Sequence, residues 1–78
     1  MELKERLKTL RKERKESQER VARAIDIALR NYQRFESGKG YPSFHVLCAL
    51  ADHFQVNMDY LAGRTDIRDP LPPLSEEL

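Results

Sequence analysis

The stretch LRNYQRFESGKG, residues 29–40, spaces two arginines four apart, sets Asn31 and Gln33 beside them, and breaks off at Ser37-Gly38. Side chains three and four apart share one face of a helix. Tyr32 and Phe35 then turn inward as anchors, with Ile27 just before them. Leu29, Arg30, Gln33 and Arg34 turn outward, with Asn31 at the flank. Gly38 supplies the left-handed position that stops such a helix. The spacing predicts an amphipathic helix over about 28–37 whose exposed face carries guanidinium and amide groups.

Further helices are predicted on either side. Leu3, Leu7 and Leu10 recur at helical spacing among Lys, Arg and Glu, giving a first helix with one buried stripe over about 2–15. Ser17 offers its hydroxyl as N-cap to QERVARAI, where Val21, Ala22 and Ile25 face inward. Asp26 is the expected break, because Asp tolerates left-handed and turn geometry. After the Lys39–Pro42 loop, Ser43 caps FHVLCALADHF, in which Phe44, Leu47, Ala51 and Phe54 are expected to form the buried stripe. Asn57 caps a short last helix that Gly63 closes. From Arg64 onward the composition changes: DPLPPLSEEL, residues 69–78, holds three prolines and an acidic end, the signature of an extended tail.

The 78 residues suffice for one small domain with a thin core. No apolar run approaches the roughly 20 residues of a membrane span, and the N-terminus lacks the apolar segment of a signal peptide. The lone Cys48 cannot form an internal disulfide, which fits a reducing cytoplasm. The formal net charge of +1 hides an asymmetry. Residues 1–41 carry 12 Lys/Arg against 7 Asp/Glu, a net of +5, and residues 42–78 carry 2 against 6, a net of −4. A basic first half suits a polyanionic partner, since neutralised phosphates release counterions.

Two short helices joined by a tight turn, the second with an outward basic and amide face, fit helix-turn-helix spacing. Such a helix enters the major groove, where Arg takes both acceptors of guanine and Asn or Gln both edges of adenine. An enzyme is not expected. His45, Cys48 and His53 share one predicted helix, but the five-residue step from Cys48 to His53 sets them about 140° apart. No metal site, cofactor motif, phosphate loop or carboxylate pair is evident.

On RLKTLRKER, SQERVARAIDI, YQRFESGKGYPS and LCALADHFQVNMDYLAGRTD, in that order and spacing, the chain resembles the Cro/CI-type (lambda-repressor-like, XRE) helix-turn-helix proteins over about residues 3–66. The resemblance implies an all-α, compact five-helix domain over residues 1–66, with helices 2 and 3 as the DNA-reading unit, and a Pro-rich acidic flexible tail over 67–78. It sets Gln18 on a phosphate and against the recognition helix, puts Leu29, Arg30, Gln33 and Arg34 at bases, and sets Ser37, Lys39 and Tyr41 along the backbone. It makes Arg11 and Glu36 an internal ion pair. Five positions depart from the family pattern: Asp26 for the usual Gly, Ala28 for a capping Ser or Thr, Glu16 for a small apolar residue, Arg20 for a capping-box Glu, and Tyr32 for a smaller aliphatic residue. The implied function is sequence-specific binding of double-stranded DNA, as a repressor that pairs into a homodimer on a near-palindromic operator. Phe54, Met58, Tyr60 and Leu61 are the expected dimer contacts. The alternative is an antitoxin or other interaction module whose tail, with Leu71, Leu74 and Leu78, binds a partner protein.

Overall fold

Four of the five helices begin at a residue whose side chain can satisfy the first turn. In a computed structural model that describes residues 1–70, the chain forms α1 (Leu3–Glu13), α2 (Gln18–Ala24), α3 (Leu29–Ser37), α4 (Phe44–Phe54) and α5 (Met58–Leu61), with no strand among the described residues. Ser17 accepts the Arg20 N–H at 3.0 Å, Ser43 that of Val46 at 3.4 Å, and Asn57 that of Tyr60 at 2.7 Å. α1 is entered through a reciprocal box between Glu2 and Glu5, which satisfies orphan donors from both directions. Only α3 lacks a side-chain cap, because its N-cap is Ala28; this omission costs about 1 kcal/mol.

Asp26 takes φ 60, so the turn between α2 and α3 is left-handed, as the sequence predicts. Lys15 (φ 56) and Gln55 (φ 58) do the same after α1 and α4. Each such non-glycine residue costs about 1–2 kcal/mol, which the packing around it must offset. At Gly38 (φ 79) and Gly63 (φ 86) glycine removes that cost. Gly63 also has no room for a side chain, since a Cβ there would collide with the Met1 carbonyl.

The core joins Leu3, Leu7 and Leu10 of α1, Val21 and Ala22 of α2, Tyr32 of α3, Leu47, Leu50, Ala51 and Phe54 of α4, and Tyr60 and Leu61 of α5. Fully burying a leucine or valine side chain is worth about 1.5–3 kcal/mol. Leu7, Val21, Leu50 and Leu61 reach that limit. Phe44 does not join them: it is 68% exposed. Its helical spacing from Leu47 is right, but as the first residue of α4 it lies beyond the reach of the other helices. Phe54, Tyr60 and Leu61 are buried in this chain's own core. These are three of the four residues that the sequence reading expects at a dimer contact. Met58 is half-buried and its sulfur lies 3.2 Å from Cys48 Sγ. No described helix is long and apolar enough to cross a membrane.

After Gly63 the chain folds back over α1 and α5 as a strap. Arg6 donates to the carbonyls of Tyr60 and Thr65 and to Asp66 (2.8 Å), with its guanidinium 3.8 Å above the Tyr60 ring. Asn57 Nδ2 donates to the Ile67 and Asp69 carbonyls, and Asn57 N to that of Arg68. Arg68 grips Glu13 with two bonds and donates to the Tyr60 hydroxyl. The flexible tail expected from residue 67 therefore starts inside a fastened segment. Residues 71–78, with Leu71, Leu74 and Leu78, lie outside the described residues. Asn57→Ala removes a cap and two strap bonds together, so chemical denaturation should show a loss of about 1–2 kcal/mol. An unchanged midpoint would mean that these bonds hold nothing.

Candidate nucleic-acid interface

Glu36 is the centre from which α3 is held. It is only 4% exposed. Arg11 reaches it from α1 with Nε donating to Oε2 at 2.6 Å and Nη2 to Oε1 at 3.1 Å. Within α3 the Tyr32 hydroxyl donates to Oε2 at 2.6 Å, and from α2 Gln18 Nε2 donates to Oε1 at 3.1 Å. Burial pushes the Glu36 carboxyl up, but the bonds from Arg11, Tyr32 and Gln18 outweigh it and hold the group below the usual carboxylate range. Burial, and then the bond to Glu36, push the Tyr32 phenol far above its ordinary value, so it stays a donor. The expected Arg11–Glu36 pair is thus one side of a four-residue knot. The Tyr32 hydroxyl was the part that sequence reasoning missed, although the i, i+4 spacing of Tyr32 and Glu36 carries the signal.

The knot fixes which face of α3 turns outward. Arg30, Asn31, Gln33 and Arg34 are exposed, and Leu29, at the tip, is 38% exposed. Gln33 Nε2 donates to Gln18 Oε1 at 3.3 Å, so the Gln18 amide ties the outer face of α3 to Glu36. Arg30 makes no side-chain ion pair among the described residues. Arg34 is different, because its Nη2 donates to the Lys39 carbonyl at 3.3 Å and its side chain lies along the loop beside Gly40. Ser37 closes α3 by donating to the Arg34 carbonyl at 3.1 Å. Lys39 is exposed, as is Tyr41 at 63%. Between Ile27 and Tyr41 the sole carboxylate is Glu36, and it is already paired. The surface there therefore carries Arg30, Arg34 and Lys39 with no exposed negative charge among them.

The turn that delivers α2 is braced from α4. His53 Nε2 lies 3.0 and 3.1 Å from the two Glu16 carboxylate oxygens, and Arg14 and Arg20 approach the same group. Glu16 thereby has partners for a charge that would otherwise be costly next to the core. Sequence spacing could not reveal this contact, since 37 residues separate the pair. His45, Cys48 and His53 do not converge, and no group of three potential metal ligands exists among the described residues.

Comparison with known proteins gives a consistent set of similarities. The helix-turn-helix family model (HTH_3) matches residues 7–61. The cryptic phage CTXphi transcriptional repressor RstR of Vibrio cholerae is 39% identical over 64 residues, covering 82% of this chain and 57% of that protein. The uncharacterized HTH-type transcriptional regulator YobD of Bacillus subtilis is 38% identical over 66 residues, covering 85% and 59%. The HTH-type transcriptional regulator AnsR of the same organism is 36% identical over 72 residues, covering 92% and 62%. The chain thus spans less than two thirds of the length of each of these relatives. The crystal structure of a transcriptional regulator from Listeria innocua aligns with a TM-score of 0.77 at 25% identity, covering 97% of this chain and 69% of that one.

Proposed function

Because the chain belongs to the helix-turn-helix family, we propose that it binds double-stranded DNA by laying α3 in the major groove, and so regulates transcription. The observation that carries this is the division of α3 into a face locked by Tyr32 and Glu36 and a face of Leu29, Arg30, Asn31, Gln33 and Arg34 left to solvent. A helix held rigidly from behind loses little freedom on entering a groove, and Arg, Asn and Gln are the side chains that match base edges. Arg30 and Gln33 serve as base readers, with Leu29 against a thymine methyl and Asn31 at the edge of the footprint. Arg34, steadied by the Lys39 carbonyl, takes the base or phosphate next along. Gln18, Ser37, Lys39 and Tyr41 meet the sugar-phosphate backbone and fix the register, as such contacts do.

One helix reads only a few base pairs. The protein is accordingly a homodimer on a near-palindromic operator with half-sites about 34 Å apart, acts as a repressor, and works in the cytoplasm. The repressor assignment draws on the phage repressor RstR among its relatives. An antitoxin role through the tail depends on Leu71, Leu74 and Leu78, outside the described residues, and no specific observation favours it. Catalysis has no place in this scheme.

The test is selection of bound duplexes from a random pool, with the mass of the complex measured on the winning sequence. Two copies on one palindrome are expected. Enrichment of no sequence would defeat the proposal. Lys39→Ala should weaken all sequences alike and reduce the slope of log affinity against log salt by about one, as loss of one phosphate contact does. A change in which sequence wins would place Lys39 at a base instead.

A further inference from the structure

α1 carries three lysines, Lys4, Lys8 and Lys12, that join no ion pair among the described residues, and the first two line the cleft beside the end of α3. Lys4 and Lys8, one turn apart, are exposed, and neither joins an ion pair among the described residues. Carboxylates of the same helix are engaged elsewhere: Glu5 accepts the Glu2 N–H at 2.9 Å, and Glu13 holds Arg68. Like charges one turn apart on a helix repel, so this pair does nothing for stability.

Their position is specific. The Lys4 side chain crosses the end of α3, with Cδ 2.9 Å and Nζ 3.4 Å from where a Cβ on Gly38 would stand. Lys4 and Lys8 share a shallow cleft of about 440 Å³ between α1 and the end of α3 with Glu5, Glu36 and Ser37. Glu36 is spent on Arg11. The Lys4 ammonium is therefore beside the Ser37–Lys39 loop, and Lys8 lines the same cleft one turn further along α1.

We propose that Lys4 and Lys8 continue the phosphate contact of that loop onto duplex DNA flanking the bases read by α3. This rests on the DNA-binding proposal above and adds a footprint wider than the helix-turn-helix unit. A lysine ammonium is a compact charge on a flexible stem, suited to a phosphate oxygen and indifferent to base identity. Each phosphate so neutralised steepens the salt dependence by about 0.9.

The test uses two duplexes sharing the site that wild-type protein selects, one ending at the site and one extended by about a helical turn, roughly 10 base pairs, at both ends. Affinities of wild type and of Lys4→Gln/Lys8→Gln are measured between about 50 and 200 mM salt. Wild type should show a steeper salt dependence on the long duplex, by about two per protomer. The double substitution should abolish that difference and leave the preferred sequence unchanged, without lowering the unfolding midpoint. Equal slopes for wild type on both duplexes overturn the proposal. So do equal losses on both duplexes, a variant that keeps the wild-type difference, or a lowered unfolding midpoint. If wild type selects no sequence, the DNA-binding proposal itself fails and this one falls with it; that result is recognised before any variant is made.

Discussion

Arg11→Met is expected to lower folding stability by about 3–5 kcal/mol, the usual cost of stripping one partner from a buried ion pair. Methionine keeps most of the aliphatic stem, so the loss reports the charge and not a cavity. What remains is a carboxylate that is 4% exposed and held by Tyr32 and Gln18 alone. The Glu16 carbonyl also loses its 2.9 Å bond from Arg11. For a domain of this size such a loss is a large share of the total, since native proteins are stable by only about 5–15 kcal/mol.

The same substitution has a pH signature with a definite sign. In the wild type Glu36 is held below its ordinary value, so its contribution is present above about pH 4.5 and is lost as the pH falls through the folded value. Without Arg11 the largest influence on Glu36 is burial, which raises it. The variant should then take up a proton on folding near mildly acid pH, and its deficit against wild type should shrink on acidification. Denaturation at a series of pH values checks both parts. A deficit that stays constant down to pH about 3 would place the loss outside the Glu36 carboxylate.

Arg30→Ala is expected to weaken binding to the preferred duplex by about 1–3 kcal/mol per half-site, roughly 5- to 150-fold. Arg30 projects from the outer face of α3 with no ion-pair partner in the described structure. Its removal leaves the knot around Glu36 intact, so stability should hardly move. The loss should be confined to one base pair in each half-site, with the remaining preference kept. Arg34→Ala differs in kind. It also frees the Lys39 carbonyl, and should loosen the loop as well as the base or phosphate contact.

The local features of this fold were legible in the sequence. Ser17, Ser43 and Asn57 cap helices because the groups they satisfy lie three residues on, and Asp26 and Gly38 end elements through their own backbone preferences. Periodicity marked Tyr32 and Phe35 as the inward side of α3, whereas the place of Glu36 on that side came only through the family resemblance. Features that depend on distant chain segments were not legible. Arg6 reaches Asp66 across 60 residues, and Glu16 meets His53 across 37. Nothing near Arg64 announces that the segment after it will be tied to α1. Phe44 shows the opposite failure, where correct spacing suggested burial at a position the core does not reach. At the interface, the outward residues of α3 were readable from pattern. Lys4 was not, because its nearness to Gly38 depends on how α1 packs on α3.

The most direct test of the whole account compares wild type and Arg30→Ala in selection from the same random duplex pool. The account predicts that wild type enriches a near-palindromic site and that the variant enriches the same site with preference lost at one base pair of each half. Identical preferences from the two proteins would contradict it, because α3 would then not be the element that reads the bases.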